Sequence, residues 1–164
     1  MFFSEIYESW REIQEEKYEV ILRRLKDANA ELGKLVLDLG SSVGFLADYL
    51  VKEGIEVEIV ALDVEVSSLK KNNSDHLLIA DGSFLPFKDG VFDSLFCIDV
   101  AHLLDDLSFD CVKDGGIVVL ALPTRYDKEF AALLNSVRGC KVEEVFEING
   151  RERERVAILR RIHT

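Results

Sequence analysis

The sequence predicts an α/β fold, a doubly wound and mainly parallel sheet of about seven strands that closes with a C-terminal antiparallel hairpin. Three observations predict it: five short, almost wholly apolar runs, helical patterns between most of them, and Asn149-Gly150 between two later strand-like runs. Apolar runs of this kind are typical of strands covered on both faces. Their alternation with helices indicates a parallel sheet.

The first element is a predicted helix over about residues 4–30. Apolar residues recur there at spacings of three, four or seven, with charged residues between them. This is the pattern of a helix that buries one face. Ser4 is a candidate N-cap and Gly33 a candidate stop.

The following elements alternate along the rest of the chain. We expect strands at 34–40, 57–63, 76–81, 94–99 and 117–122, and helices at about 43–53, 65–72, 103–113 and 127–137. Two further strands, 141–148 and 151–162, flank Asn149-Gly150, a dipeptide that favours a tight hairpin because both positions tolerate positive φ. The arginine-rich second strand is interpreted as a solvated edge strand protected by its charges. No linker divides the chain, so we expect one domain over 1–164, with the N-terminal helix in 1–33 and the α/β core in 34–164.

Composition excludes several classes of protein. With 31 acidic and 20 basic residues the net charge is −11, which makes nucleic acid an unlikely partner because its phosphates would be repelled. The 48% of hydrophobic residues excludes a disordered chain. The three cysteines are far apart, which indicates reduced thiols rather than disulfides or a metal site, and no metal is expected. The charged N-terminal segment and the lack of a long apolar run predict a cytoplasmic protein with no membrane partner.

Acidic residues end four of the five core strands: Asp38, Asp63, Asp81 and Asp99. In open α/β sheets, ligands bind beyond the carboxyl ends of the strands. Carboxylates at that edge accept hydrogen bonds from ribose hydroxyls and exocyclic amines. A strand-ending aspartate also caps the next helix in many proteins, and for any one of the four this alternative stays open.

The turn after the first strand carries Gly40 and Gly44, which allow a sharp turn and a close approach of a ligand to the backbone. It does not fit the dinucleotide fingerprint G-x-G-x-x-G, because Ser42 and Phe45 stand where the second and third glycines are required. A phosphate-binding G-x-x-x-x-G-K-S/T motif is also absent. These features favour a nucleoside ligand without phosphates.

Four segments, in order, resemble those of the small Rossmann-like (class I) methyltransferases that use S-adenosylmethionine. Residues 37–44 resemble the family's first motif, D/E-x-G-x-G-x-G, except at its middle glycine, where Ser42 stands. Asp63 lies where the family's acidic residue holds the ribose hydroxyls. Residues 81–93 resemble its adenine-binding segment D-x-x-x-L-P-F-x-D-x-x-F-D, and residues 112–116 resemble its L-K-P-G-G turn. The resemblance runs from about residue 34 to 123.

The resemblance implies S-adenosylmethionine as the cofactor and a set of residues that bind it. The turn would hold the amino-acid end, Asp63 the ribose, Val64 and Phe84 the faces of the adenine, Asp81 its amino group, and Asp99 the methionine amine or the reaction centre. The full implied set is Asp38, Gly40, Ser41, Ser42, Gly44, Asp63, Val64, Asp81, Gly82, Ser83, Phe84 and Asp99.

Methyl transfer from a sulfonium is an in-line displacement, so the protein mainly aligns the acceptor and in some cases removes a proton from it. The candidate catalytic residues are His102 and Asp99, just past the fourth strand. Histidine suits proton removal near neutrality because its ordinary pKa is ~6.5. The alternative is that His102 is a polar residue at a helix start. His76 and His163 have weaker claims.

The expected acceptor is a small molecule. Val100-Ala101-His102 follows the fourth strand in place of an Asn/Asp-Pro-Pro-aromatic run, and Pro-Cys is absent, so methylases of amide, exocyclic-amine or cytosine-carbon type are disfavoured. The aromatics Tyr7, Trp10 and Tyr18 either pack in the core or form a lid over the cofactor.

Two other functions stay open. Ser42 and the short chain motivate a catalytically weak or partner-dependent cofactor-binding subunit, in a homodimer or with a partner protein. A nicotinamide-dependent oxidoreductase is disfavoured by the missing glycines.

Overall fold

A seven-stranded sheet organises the computed structural model, which describes the backbone of residues 2–162 and the side chains of Ile6 and of residues 8–162. Its strand order is β3-β2-β1-β4-β5-β7-β6. The first five strands along the chain run parallel, whereas β7 pairs antiparallel with both β5 and β6. The predicted fold class is therefore confirmed. The strands are β1 Leu35–Leu39, β2 Glu58–Asp63, β3 His76–Ile79, β4 Phe92–Ile98, β5 Val112–Pro123, β6 Cys140–Asn149 and β7 Arg153–Arg161.

In the described part of the chain, four α-helices lie around this sheet: α1 Phe2–Asp27, α2 Phe45–Lys52, α3 Val66–Leu69 and α4 Asp127–Ser136. Helix α1 begins before the predicted cap Ser4 and ends well before Gly33. It ends because Asn29 adopts the left-handed conformation (φ 53°), which lets the Ala30 amide donate to the carbonyl of Leu25. None of the described helices combines the length and apolar character that crossing a bilayer requires.

The core lies on both faces of the sheet, as the apolar runs predict. Helices α1 and α2 cover one face with buried side chains such as Ile21 and Leu50. Helix α4 and the segments before β4 and β5 cover the other with Phe130, Phe87 and Phe109. Cys97 and Cys111 are buried free thiols, and burial raises the pKa of Cys111 to about 11.

The predicted helix over 103–113 is wrong. A single 3₁₀ turn, Ala101–Leu103, is followed by an irregular segment up to β5. The segment contains Asp105, Asp106, Ser108 and Asp110, which are poor helix formers because their side chains bond to nearby backbone groups. Ser108 Oγ, for instance, accepts a hydrogen bond from the Asp110 amide. The crossover from β4 to β5 therefore packs on the sheet without a helix.

The interpretation of the predicted strand over residues 151–162 as an edge strand is also wrong. Strand β7 lies between β5 and β6, so β6 is the edge. Its arginines are paired with acids on neighbouring elements, as in Arg155 with Asp127 and Arg160 with Glu143. An inner position also explains why Glu154 is buried on this strand. The predicted turn at 112–116 is a break in register within β5, where Phe92 pairs with Val112 but Ser94 pairs with Ile117.

Candidate functional site

The four predicted aspartates lie along the carboxyl edge of the sheet. Asp63 ends β2, Asp38 is the fourth residue of β1, Asp99 directly follows β4, and Asp81 comes two residues after β3. Because these strands are neighbours in the order β3-β2-β1-β4, the edge carries Asp81, Asp63, Asp38 and Asp99 in that sequence. The topology thus brings together residues that are up to 61 positions apart in the chain.

The turn from β1 to α2 is held by side chains as well as by its glycines. Ser41 Oγ donates to Asp38 Oδ2 at 2.6 Å, and Asn72 Nδ2 donates to Ser41 Oγ at 2.9 Å and to the Ser42 carbonyl at 3.0 Å. Gly40 has φ 76°, and a Cβ on it would lie 2.6 Å from Val100 Cγ1. A side chain at residue 40 would therefore be excluded both by conformation and by space.

Asp38 is buried beneath this turn. Burial raises its pKa to about 6, against the hydrogen bond from Ser41, and the negative charge of Asp63 adds to the rise. Carboxylates with raised pKa values cluster at functional sites, where the cost of burying them is offset by what they bind.

Asp63 links two turns. Its Oδ2 accepts the Ser42 amide at 2.8 Å and its Oδ1 accepts the Glu65 amide at 3.0 Å. Each carboxylate oxygen has a second lone pair, so both can still accept a hydrogen bond from a ligand. The bonds already present fix the orientation of the carboxylate.

A cleft of about 310 Å³ opens at this edge of the sheet. Five predicted cofactor residues border it: Gly40, Asp63, Val64, Asp81 and Gly82. A Cβ on Gly82 would lie 2.8 Å from Leu39 Cδ2. The remaining wall is apolar and comes from Leu39, Leu62, Ala80, Val100, Leu103 and Leu104. A mainly apolar cleft with a few oriented polar groups is typical of a ligand site.

Ser83 and Phe84 lie beyond this lining. The Ser83 amide donates to Asp81 Oδ1 at 2.9 Å, and Ser83 Oγ accepts the Asp105 amide at 3.0 Å, so Ser83 ties the Asp81 turn to the β4–β5 crossover. Phe84 is 74% exposed. Its role toward the adenine therefore stays a prediction.

Asp99 has φ 66° and faces α1. Its Oδ2 accepts hydrogen bonds from Lys17 Nζ at 3.0 Å and from Gln14 Nε2 at 3.3 Å. Lys17 Nζ also lies 3.4 Å from Glu152 Oε1 and 3.0 Å from Glu154 Oε2. Lys17 thus joins helix α1 to the carboxyl end of β4 and to the start of β7 through ion pairs.

His102 lies in the 3₁₀ turn after Asp99. Its ring stacks on Tyr126 with 4.2 Å between the ring centroids, and its Nδ1 is buried without a hydrogen-bond partner in the described part of the chain. The other histidines are less suitable: His76 lies on β3 beside Glu58, and His163 falls outside the described residues. Among the aromatics of α1, Tyr18 is buried against Tyr49, Trp10 is 56% exposed, and the side chain of Tyr7 is outside the described set.

Sequence reasoning missed Asn72, Lys17 and Glu154. The sequence did contain one signal for Lys17 and one for Glu154. Lys17 stands four residues from both Ile13 and Ile21 on the apolar face of α1, and Glu154 shares the inward alternation of Val156 on β7. A charged residue at a core position requires a partner of opposite charge, so the two positions together indicate a buried pair of Lys17 and Glu154.

The sequence profile of one protein family, described as a methyltransferase domain, matches residues 37–120, slightly more than half of the chain. The chain belongs to this methyltransferase family.

The known relatives agree with the fold. The chain is 35% identical over 77 residues to the human mitochondrial arginine-hydroxylase NDUFAF5, a match that covers 44% of the chain but only 22% of the human protein. A SAM-dependent methyltransferase from Aquifex aeolicus is similar in structure, with a TM-score of 0.67, 19% identity and coverage of 86% of this chain and 88% of that one. A Haloferax volcanii methyltransferase solved with the Trm112 methyltransferase activator gives a TM-score of 0.66 at 16% identity and 96% coverage of both chains.

These comparisons confirm the methyltransferase family, and the Aquifex neighbour is described as dependent on the predicted cofactor, S-adenosylmethionine. The residues that border the cleft fit this group, since a nucleoside needs an oriented carboxylate for its ribose and an apolar wall for its base. Asp63, Val64 and the close-packed Gly40 and Gly82 provide these features.

The backbone at Ser42 explains how a serine can stand where the family's first motif has a glycine. Ser42 has φ 53°, a conformation that glycine favours and serine adopts at some cost. Its amide and carbonyl make the bonds to Asp63 and Asn72, and these bonds do not depend on the side chain. We expect Ser42→Gly to bind S-adenosylhomocysteine within about twofold of the wild type, and Ser42→Val to lose about 1–2 kcal/mol of unfolding free energy. Calorimetry and urea unfolding measure both. A tenfold gain in affinity in Ser42→Gly would instead show that the serine side chain obstructs the cofactor.

The raised pKa of Asp38 predicts a pH dependence of stability. A carboxyl with a pKa of about 6 when folded and ~3.9 when unfolded binds more protons in the folded state, so stability falls as pH rises from 4 to 6. Asp38→Asn keeps an acceptor for Ser41 but cannot ionise. We expect it to exceed the wild type by roughly 3 kcal/mol at pH 7.5 and to equal it near pH 4. A difference that is the same at both pH values would contradict the assignment.

Proposed function

We propose that this methyltransferase transfers a methyl group from S-adenosylmethionine to a small-molecule acceptor by in-line displacement. The observation that carries the proposal is the cleft at the carboxyl ends of β1 and β2, with the Asp63 carboxylate fixed at its border. The irregular crossover from β4 to β5 and the short loop between β5 and α4 leave the acceptor side of the edge without a large insertion.

The proposed binding set follows the sheet edge. Asp63 accepts the ribose hydroxyls and Val64 packs on the adenine, whose amino group reaches Asp81. Asp38 and the backbone of residues 40–44 hold the amino-acid end, near Asp99. Gly82 lets the base approach, and Ser83 and Phe84 close the site from outside.

The cofactor supplies an activated methyl group on a good leaving group. The residues of this chain orient the acceptor, exclude water and receive its proton. His102 is the proposed proton acceptor because its Nδ1 is buried and free to bond, while its stacking on Tyr126 fixes the ring.

The test is the formation of S-adenosylhomocysteine in the presence of panels of small amines, alcohols, thiols and carboxylic acids. Acceptor-dependent product formation that is lost in Asp63→Ala is the expected result. Mass analysis of the acceptor separates methylation from hydroxylation, the activity in the name of the human relative. Products that carry oxygen and no methyl group would reject the proposal.

The second candidate is a partner-dependent or catalytically weak subunit of the same fold. Exposed apolar side chains on β3, Leu77 and Ile79, favour it. The Haloferax neighbour, solved with a methyltransferase activator, is a precedent for a protein partner. Cofactor binding without turnover on any panel, together with copurification of a second chain or a homodimer, would support this candidate over the first.

The proposed setting is the cytoplasm, with neither nucleic acid nor a membrane as partner. The free thiols of Cys97, Cys111 and Cys140 and the net charge of −11 support it.

A further inference from the structure

Glu154 is a buried acid that the proposed binding set does not use. It lies on β7, between β5 and β6, and its side chain is 0% exposed. Its Oε2 lies 3.0 Å from Lys17 Nζ, and the same ammonium lies within 3.4 Å of Asp99 and Glu152. Three carboxyl groups thus surround one cation in a buried place, which favours a protonated carboxyl among them.

The proton lies between Glu154 and Asp99. Asp99 Oδ1 and Glu154 Oε1 are buried, and neither has a partner among the N–H and hydroxyl groups of the described residues. The two carboxyl groups are hydrogen-bonded to each other, which requires that one of them carries a proton. Burial raises the pKa of Glu154 to about 9, together with the hydrogen bond and the charge of Asp99, although Lys17 opposes the rise. Glu154 therefore holds the proton at neutral pH and donates it to Asp99.

Asp99 is held from both sides in an uncommon backbone conformation. Its φ of 66° lies in the left-handed region, which costs an aspartate free energy. Its amide donates to the Ala121 carbonyl at 2.8 Å, and its Oδ2 accepts hydrogen bonds from Lys17 and Gln14. The bond from Glu154 adds a donor to the carboxyl group that these two residues hold. Such a conformation persists where the surrounding structure fixes it.

The turn at Asp99 sets the position of Val100, which forms part of the wall of the cofactor cleft. Val100 fills the space above Gly40, where a Cβ would lie 2.6 Å from Val100 Cγ1. The carbonyl of Val100 accepts the Leu103 amide at 2.9 Å, so Val100 also begins the 3₁₀ turn that brings Leu103 to the cleft. Glu154 is thus connected to the cleft through Asp99 and Val100.

We propose that Glu154, by donating a hydrogen bond to Asp99, positions Val100 for binding of the cofactor, an inference that rests on the proposed binding of the cofactor in this cleft. Glu154 touches no ligand and is a positioning residue. A glutamine at residue 154 keeps both interactions, since its amide nitrogen donates to Asp99 and its oxygen accepts from Lys17. A leucine there keeps neither.

The proposed role predicts a pH dependence of cofactor affinity. Loss of the proton from Glu154 removes the hydrogen bond to Asp99 and leaves two carboxylates that repel each other. Because the pKa of Glu154 is about 9, the affinity should fall as the pH rises through this value. A glutamine at residue 154 cannot ionise, so its affinity should not show this fall.

The groups that face Glu154 do not produce the same dependence. On α1, burial raises the pKa of Tyr18 well above its ordinary value, and the pKa of Lys17 is raised despite its burial by the charges of Asp99 and Glu154. Glu152 and Asp99 are the other acidic groups beside it. The residues opposite Glu154 on β5 and β6 carry no titratable group.

Two measurements between pH 7.5 and pH 10 test the role of Glu154 in the wild type, Glu154→Gln and Glu154→Leu. Glu56→Gln, at an exposed glutamate, is the control variant. The first measurement is NMR of the ligand-free protein labelled at valine methyl groups, with Val100→Ala to assign the resonances. The second is calorimetry with S-adenosylhomocysteine. The amino group of this ligand also titrates, so affinities are compared between proteins at each pH.

The Val100 methyl resonances of the wild type should move with an apparent pKa of about 9, and those of Glu154→Gln should not. At pH 7.5 these two proteins should bind S-adenosylhomocysteine within about twofold of each other, and Glu154→Leu about fivefold or more weakly. At pH 10 the wild type should bind about fivefold or more weakly than Glu154→Gln. Glu56→Gln should behave as the wild type does in both measurements.

The same titration of Val100 in the wild type and in Glu154→Gln would overturn the proposal. Equal affinities of these two proteins at pH 10, or of Glu154→Gln and Glu154→Leu at pH 7.5, would also overturn it. If the leucine variant does not fold, the comparison of wild type and glutamine variant decides alone. Absence of S-adenosylhomocysteine binding in the wild type at every pH would reject the proposed function instead, and the titration of Val100 in the ligand-free protein would still test the contact with Glu154.

Discussion

Replacing Lys17 by methionine is expected to lower the free energy of unfolding by about 3 kcal/mol at pH 8. The substitution keeps an unbranched side chain, one atom shorter, but removes the ammonium that Asp99, Glu152 and Glu154 share. Breaking a buried ion pair from one side is costly because the remaining charges stay in a poorly solvated place. Urea unfolding of the wild type and the variant measures the loss.

Lys52→Met is the matched control. Lys52 makes an ion pair with Glu15 at 3.2 Å, but its side chain is largely exposed, so its loss should cost no more than about 0.5 kcal/mol. The loss in Lys17→Met should also be smaller at pH 5.5 than at pH 8, because carboxylates without their cation take up protons as the pH falls. Equal losses of unfolding free energy in the two variants, or a loss in Lys17→Met that does not depend on pH, would contradict the burial of Lys17 among these carboxylates.

Replacing Asp63 by alanine is expected to weaken binding of S-adenosylhomocysteine by about 2–4 kcal/mol, that is, by at least about thirtyfold. On the proposed ribose role, two hydrogen bonds from hydroxyls to a charged acceptor are lost; one such bond contributes about 1.5–3 kcal/mol, and losses at a shared acceptor are less than additive. The loss has a second cause, since Asp63 also holds the Ser42 and Glu65 amides that shape the border of the cleft. Isothermal calorimetry gives the affinity.

Two companion variants make this result specific. Asp63→Asn keeps an acceptor and the shape of the side chain, so it should lose less affinity than alanine. Glu56→Ala, at an exposed loop outside the cleft, should bind as the wild type does. Unchanged affinity in Asp63→Ala would reject the ribose role of this residue.

The sheet and the edge that carries the site could be predicted from the sequence because they depend on local patterns. Residues 117–122 are apolar at every position, as are residues 35–39 apart from Asp38, and few other structures accept such runs. Strand ends then place Asp38, Asp63 and Asp99 on one edge by topology alone.

The features that could not be predicted depend on contacts between distant parts of the chain. The β4–β5 crossover carries Leu104, Leu107 and Phe109 at positions that suit a helix, but its polar residues bond to turns instead. Whether a polar residue prefers a helix or a local turn is decided by small energies that tertiary packing outweighs.

The buried group of Lys17, Asp99, Glu152 and Glu154 is the clearest case of such a feature. Arginine and glutamate alternate over residues 151–155, which is also the pattern of a solvated edge. The strand order, with β7 inside the sheet, shows that one of these glutamates is buried. The alternation of residues within β6 and β7 does not determine which of the two strands lies at the edge of the sheet.

The most direct measurement is calorimetry of the intact protein with S-adenosylhomocysteine, with NADH as the competing ligand. We expect one S-adenosylhomocysteine per chain, bound more tightly than NADH, because the turn at residues 40–44 lacks the glycines that a dinucleotide requires and the edge is lined with carboxylates. No detectable binding of S-adenosylhomocysteine, or tighter binding of NADH, would contradict the assignment of this edge to the methyl donor.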